Sequence, residues 1–157
     1  MYSVIIVDDE PVMRKGIVCF VNWEALDCKI TFEASNGLEA NEHLESNHAD
    51  IVIVDIKMPG MDGLQLTKYI NENHPRTKVI ILTAYADFSY AQSAIKYNVV
   101  DFVVKTNPLE KIPEAVNKAI QLIKQQYQRE EKLKQLENRI SHNMTEMREK
   151  LLINIIN

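Results

Sequence analysis

The stretch IVIVDIKMPGMDG, residues 51–63, decides how this chain is read. Four consecutive β-formers run into Asp55, and Met58-Pro59-Gly60 then breaks the chain. A continuous β-branched run without polar alternation suits a strand buried on both faces, as in parallel sheets. An apolar strand that ends on a bare carboxylate delivers that carboxylate to an edge of the sheet, and the rest of the chain says what waits there.

Four further apolar runs accompany it: Ser3–Val7, Lys29–Ala34, Lys78–Leu82 and Val100–Val104. Between them lie amphipathic stretches of helical period. Pro11–Val21 opens with Pro in the first turn. Gly37–Ser46 carries Leu38, Ala40 and Leu44, with Asn36 in front as a helix cap, and Gly63–Asn73 carries Leu64, Leu66, Thr67 and Ile70. Asp87–Tyr97 starts on an acidic residue suited to capping, and a very long helical pattern follows Pro108. Five strands alternating with five helices predict an α/β fold, a doubly wound five-stranded parallel sheet with helices on both faces.

Ligands of such sheets sit beyond the carboxyl ends of the strands. The residues arriving there are Asp8, Asp9 and Glu10 after the first run, Asp55 after the third, Thr83 and Ala84 after the fourth, and Lys105 after the fifth. Three gathered aspartates raise one another's pKa unless a cation compensates. The donors are all hard oxygens with no His or Cys among them, which selects Mg²⁺. Lys105 and the Thr83 hydroxyl suit the oxygens of a phosphoryl group, and Asp55 is placed as a nucleophile able to form an aspartyl phosphate.

Composition excludes several alternatives. The net charge is −4 and no Lys/Arg block stands out, so these residues show no nucleic-acid-binding face. There is no apolar run long enough to span a membrane, and MYSVIIVDDE lacks the basic start of a signal peptide. Cys19 and Cys28 lack metal-ligand spacing and read as reduced, small, partly buried side chains, which fits a cytoplasmic protein.

Four motifs in order, V-D-D-E at 7–10, D-I-K-M-P-G-M-D-G at 55–63, T-A at 83–84 and D-F-V-V-K at 101–105, resemble the response-regulator receiver domain of bacterial two-component systems. The resemblance covers residues 1 to about 125 and implies a flavodoxin-like sheet in the order 2-1-3-4-5. It implies Asp55 as the phospho-acceptor, Asp9 as a direct Mg²⁺ ligand, Asp8 acting through water, and the Lys57 carbonyl completing the metal shell. It also implies Thr83, beside Ala84, as the switch hydroxyl, Lys105 as the phosphate's partner and Phe102 as the switch aromatic. Phe at 102, in place of the family's Tyr, can switch only by packing. The family usually carries a cis Pro after the lysine, whereas this chain has Thr106. A cis bond before Thr costs ~2.5–4 kcal/mol against ~0.5–1 before Pro, so trans is expected at 105–106, with a strained cis held by the pocket as the alternative.

V-N-W-E-A-L at 21–26 and Y-A-D-F-S-Y-A-Q-S-A-I-K-Y at 85–97 are similar to the receivers attached to AraC-type DNA-binding domains. Trp23 is typical of that group and is read here as a packing anchor. Phe88 is expected in the core, while Tyr85 and Tyr90 are left open between core and interaction face.

Residues 126–157 are read as a helical linker and dimerisation segment following the receiver of residues 1–125. Leu133, Leu136, Ile140, Met144, Met147, Leu151 and Ile155 recur with gaps 3, 4, 4, 3, 4, 4. Such an eleven-residue repeat makes a one-sided stripe that needs a partner, and a homodimer through this helix is expected. His43, His48, His74 and His142 are expected to face solvent. The chain ends on an apolar LLINIIN and is read as a piece lacking its output domain.

The reading is a phosphorylation-gated regulator: a sensor histidine kinase loads Asp55, and transcription is controlled through a DNA-binding domain that these residues do not include. The alternatives are a stand-alone adaptor and an Mg²⁺-dependent phosphohydrolase with an Asp nucleophile. The latter chemistry wants a carboxylate two residues beyond the nucleophile, where this chain has Lys57, so the chain is not read as an enzyme.

Overall fold

The computed structural model describes residues 1–156, with side chains as far as residue 150. Five parallel strands, β1 (Tyr2–Val7), β2 (Cys28–Ala34), β3 (Ile51–Asp55), β4 (Lys78–Thr83) and β5 (Val99–Val104), form one sheet in the order β2-β1-β3-β4-β5. The helices are α1 (Pro11–Phe20), α2 (Gly37–Ser46), α3 (Gly63–Asn73), α4 (Phe88–Gln92) and α5 (Pro108–Ile156). The doubly wound expectation therefore holds, with the predicted strand order. The chain divides into two compact units, Met1–Ile123 and Lys124–Asn157.

Why the apolar runs show no polar alternation is visible in how the sheet sorts its residues. Val4, Ile6, Ile51, Ile53, Ile80 and Leu82 point to one face and pack with Ile17 of α1 and Ile112, Val116 and Ala119 of α5. Ile5, Val7, Val52, Val54, Val79 and Ile81 point to the other and pack with Ala40 and Leu44 of α2, Leu66 and Ile70 of α3 and Ala91 of α4. Period-2 pleating feeds two cores from one strand, so every residue of β3 is buried. Each buried Ile or Val contributes roughly 1.5–3 kcal/mol, which makes the sheet a rigid base for its edge.

Local chemistry sets several boundaries. Pro11 begins α1, and Asn36 caps α2 by accepting the Glu39 N–H at 2.9 Å. Asp62 and Gln65 form a reciprocal capping box on α3. Trp23 is buried and donates its Nε1–H to the Ile17 carbonyl at 3.3 Å, the packing anchor expected.

The predicted helix 87–97 is corrected. It is three short pieces, turns of 3₁₀ helix at Tyr85–Asp87 and Ile95–Tyr97 flanking the five-residue α4. The Ser93 hydroxyl donates to the Tyr90 carbonyl at 2.5 Å, and the Ser93 N–H uses the same acceptor at 3.1 Å. That competition diverts the carbonyl from the Ala94 N–H, which turns instead to Ala91. Asp87 makes no capping bond; its carboxylate pairs with Lys57 Nζ at 3.4 Å.

Other side chains also depart from expectation. Phe88 is 36 % exposed rather than in the core, because the short α4 cannot turn it inward; it meets Phe102 edge-on. Tyr85 is exposed and Tyr90 half-buried. Cys19 is exposed near the end of α1, whereas Cys28 is buried, its thiol pushed up to about 11 by burial and then by the charges of Asp27 and Asp50. His43 is half-covered by stacking on Phe32, and His74 buries its Nε2 without a hydrogen-bond partner; His48 and His142 are exposed.

In the second unit Leu133, Leu136, Ile140, Met144 and Met147 are all exposed along one helix. Leu151, Ile155 and the rest of LLINIIN lie outside the residues whose side chains are described. Among the described residues no helix is long and apolar enough to cross a membrane.

Candidate functional site

Strand register builds the site one residue at a time. Val7 pairs with Val54, so Asp8 and Asp55 emerge side by side. Asp55 pairs with Leu82, which brings Thr83 one step beyond it, and Thr83 pairs with Val104, which brings up Lys105. The Lys105 N–H donates to the Thr83 carbonyl at 2.9 Å, holding the last strand end against its neighbour. The loop after Asp55 turns at Gly60 (φ 73°) and returns to α3 through Gly63. A Cβ on Gly63 would lie 2.3 Å from the Asp55 carbonyl oxygen, so a glycine is needed for the helix to start this close to the acid.

Four carboxylates meet there. One oxygen each from Asp8, Asp9, Glu10 and Asp55 lies within 4.8 Å of the others. Asp8 is fully buried and Asp55 is 5 % exposed, whereas Asp9 is half-buried and Glu10 open. Lys105 Nζ donates to Asp55 Oδ2 at 2.8 Å and lies 3.4 Å from Asp8 Oδ2 and 3.6 Å from Glu10 Oε1. All peptide bonds among the described residues are trans, the one before Thr106 included, and the lysine reaches the acid without a cis bond.

One lysine does not balance this cluster. Burial raises the Asp55 pKa to about 6; the Lys105 hydrogen bond opposes the rise and the neighbouring Asp8 charge adds to it. Asp8 is raised by burial too, against the Glu10 N–H and Lys105, which hold it down. Burial works against the charge on Lys105, but the hydrogen bond to Asp55 and the surrounding acids leave its pKa raised. Asp8 Oδ2 is buried without a hydrogen-bond partner. A buried carboxylate oxygen left unsatisfied beside three more acids fits a hard divalent cation, since oxygen donors and net negative charge are what such an ion requires.

Around the acids, Thr83 is fully buried and donates its hydroxyl to the Ala84 carbonyl at 2.9 Å. Phe102 is half-buried, its ring 6.1 Å from that of Phe88. Lys57 donates its N–H to Asp55 and turns its ammonium outward to Asp87, with the Tyr90 ring 5.5 Å away. The Tyr90 hydroxyl donates to Asp62 Oδ2 at 2.6 Å, tying α4 to the start of α3. The edge thus gathers Asp8, Asp9, Asp55, Thr83 and Lys105, with the Lys57 backbone alongside. Sequence reasoning missed the contact of Glu10 with Lys105 and the role of Arg14, which donates to the Asp8 carbonyl at 2.6 Å. Glu10 was legible as the third acid of its run; no signal in the sequence singled out Arg14.

Known proteins share this fold. A family model described as the response regulator receiver domain matches residues 4–117. The transcriptional regulatory protein YesN of Bacillus subtilis is 33 % identical over 142 residues, covering 90 % of this chain and 39 % of its own length. The DNA-binding transcriptional regulator NtrC of Escherichia coli is 38 % identical over 123 residues, 78 % of this chain and 26 % of its own. Among solved structures, the receiver domain of AraT, a response regulator from Geobacillus stearothermophilus, superposes with a TM-score of 0.75 at 36 % identity, covering 80 % of this chain and 98 % of that one. The chain therefore spans well under half the length of these curated relatives.

Proposed function

This chain belongs to the response regulator receiver domain family, and from that premise we propose that it stores a phosphoryl group on Asp55, received from a sensor histidine kinase. The observation that carries the reading is the contact of Lys105 Nζ with both Asp55 Oδ2 (2.8 Å) and Asp8 Oδ2 (3.4 Å) inside a four-carboxylate pocket. With a pKa of about 6, Asp55 is mostly ionised at neutral pH and able to attack. Its oxygen forms the new O–P bond as the N–P bond of a phosphohistidine breaks; the electron pair returns to the imidazole, which takes a proton from solvent.

Asp9, Asp55 and the Lys57 carbonyl would hold Mg²⁺, with Asp8 behind them, and the ion would supply positive charge against the phosphoryl oxygens. Lys105 would take another phosphoryl oxygen once Asp55 Oδ2 is esterified or turned away. The Thr83 hydroxyl, now spent on the Ala84 carbonyl, would exchange that acceptor for the phosphate. Thr83 leads directly into the 3₁₀ turn and α4, so this exchange would pull on the segment that Tyr90 and Lys57 hold down. Phe102, lacking a hydroxyl, would respond by repacking against Phe88. Storage of phosphate, and not turnover of a separate substrate, is supported by Lys57, which stands two residues past the nucleophile where a phosphohydrolase wants a carboxylate and pairs with Asp87 at 3.4 Å.

Similarity to transcriptional regulators supports a transcriptional output, of the AraC type, borne by a region that these residues do not include. The exposed stripe from Leu133 to Met147 supports a homodimer through the second unit, and a cytoplasmic site of action follows from such signalling. The receiver would comprise residues 1–125 and the linker 126–157. The test of the central reading is incubation with Mg²⁺ and a small acyl phosphate, followed by mass spectrometry. The parent should gain one phosphoryl group and Asp55→Asn none; a parent that stays unmodified, or a variant that labels equally well, would reject it.

A further inference from the structure

Asp8 has four hydrogen-bonding groups, and the protein has fixed three of them. Its N–H donates to the Ala34 carbonyl of β2 at 3.0 Å. Its Oδ1 accepts the Glu10 N–H at 2.9 Å. Its backbone carbonyl accepts from Arg14 Nη1 at 2.6 Å. Only Oδ2 is left over, aimed at Lys105 and the acidic pocket. Two of these three restraints have backbone partners, at the strand end and in the turn that follows it. The third is a side chain, and nothing about strand or helix formation requires it.

Arg14 is itself held. Its side chain is 15 % exposed, and its Nε lies 3.4 Å from Glu33 Oε1 on β2, which also binds Lys15 Nζ at 3.0 Å. The guanidinium is therefore a fork with one prong on β2 and another on the Asp8 carbonyl. That carbonyl shares one rigid peptide plane with the Asp9 N–H. Fixing the carbonyl direction fixes the plane from which Asp9 departs, so this bond restrains the peptide that joins the two acids.

We infer that Arg14 is a positioning residue for divalent-cation binding, acting through the Asp8–Asp9 peptide to hold the two carboxylates in a ligating arrangement. This rests on the reading that the acidic pocket takes Mg²⁺. Arg14 does not touch the cation; it removes a rotational freedom that the loop would otherwise lose on binding. Groups of this kind around a metal site change affinity by ~10–100-fold when removed.

The test is calorimetric titration of Mg²⁺ into the full chain, with no phosphodonor, paired with far-ultraviolet circular dichroism and thermal melts with and without the ion. Arg14→Met should weaken Mg²⁺ binding about tenfold or more, and Arg14→Lys, which keeps one donor for the carbonyl, should recover part of the loss. Lys15→Met, which shares Glu33 but does not touch Asp8, should stay within about twofold of the parent. A purely structural Arg14 would lower the melting point with and without Mg²⁺ alike; a positioning residue lowers the stabilisation that Mg²⁺ adds. Folded Arg14→Met binding Mg²⁺ like the parent overturns the inference. If that variant does not fold, an Arg14→Lys affinity equal to the parent's, or losses in Lys15→Met as large as in Arg14→Lys, overturns it instead. A parent that binds no Mg²⁺ removes the premise, an outcome distinct from one in which the parent binds and Arg14 proves irrelevant.

Discussion

Asp50 and Asp55 bracket the same strand, one just before it and one at its end, and the protein treats them in opposite ways. Asp50 Oδ2 accepts the Ser3 N–H at 2.9 Å and lies 3.2 Å from the Ser3 hydroxyl, while its Oδ1 meets His48 at 3.1 Å. Its N–H in turn donates to the Ser3 hydroxyl at 3.0 Å. Asp55 is more deeply buried; it accepts the Lys57 N–H and has one lysine, which it shares with Asp8 and Glu10. At one edge the carboxylate pins β1 to β3 and is satisfied by what it pins. At the other the paired acids are kept short of positive charge, Asp8 Oδ2 having no hydrogen-bond partner, which on the proposed reading leaves a place for a cation and a phosphoryl group. A shortfall of positive charge, more than burial or residue type, separates the carboxyl end of the strand from its start.

The largest effect expected from that contrast is in phosphorylation. Asp55→Asn should lose acyl-phosphate labelling altogether, while Asp50→Asn should label like the parent and lose about 1–2 kcal/mol in urea denaturation, as suits weakened hydrogen bonds to a charged group. Loss of labelling in Asp50→Asn with the fold intact would break the division between the two ends.

Next in size is Lys105→Met. Removing the only ammonium of the pocket leaves Asp55 and Asp8 buried together without a counter-charge, so metal-free stability at neutral pH should fall by about 3 kcal/mol. Without Lys105 to hold it down, Asp55 takes up its proton above the parent's value of about 6, so the deficit should shrink as pH falls to 6, and stability curves at pH 5 and pH 7.5 would measure the difference. A deficit independent of pH would mean that the lysine contributes packing alone.

The third prediction concerns proton and metal. Asp55 has a pKa of about 6 against an ordinary 3.8, so the folded protein holds this proton more tightly than the unfolded chain. The stability it contributes is full below pH 4, is lost as pH rises from about 4 to about 6, and is level above; the span is at most roughly 3 kcal/mol. Mg²⁺ competes with the same proton, so its affinity should rise about tenfold per pH unit below 6 and flatten above it. Calorimetry across pH 5–8 would show either that break or a flat profile, which would detach Asp55 from the metal.

The smallest effect sharpens the comparison from a third acid. Asp62 lies at the same edge as Asp55, yet both its oxygens are used, one by the Gln65 N–H and one by the Tyr90 hydroxyl. It should behave like Asp50. Tyr90→Phe should cost about 1 kcal/mol, show faster amide exchange in α4, and leave Mg²⁺ binding unchanged. A large shift in Mg²⁺ affinity would mean that the loop from Lys57 to Gly63 transmits more than the register of β3 accounts for.

Much of this was legible in the residues because it depends on short-range physics. The interior of an apolar run offers a carboxylate no partner, so Asp55 had to stand at a strand end; Pro11 and Asn36 mark their helix starts by chemistry local to each. The segment from Asp87 to Tyr97 was misjudged for the same reason in reverse. Its apolar spacing suits a helix, but the Ser93 hydroxyl competes for a carbonyl, and a competition decided by tenths of an ångström leaves no trace in a pattern. Phe88 followed that error out of the core. Arg14 went unseen because its partner is a backbone carbonyl six residues back, a group that every residue carries.

The sequence alone determined which residues could form the sheet, which of them would be left at its carboxyl edge, and that a cluster of hard oxygens would be short of positive charge. Periodicity and charge survive in a linear string. Only the tertiary structure decided which acid is satisfied and which is not, that Lys105 reaches Asp55 and Asp8 across a trans peptide, and that Arg14 holds the peptide between the two leading aspartates. Those outcomes depend on distances between side chains and backbone groups on different strands and helices, and such distances exist only once the chain has folded.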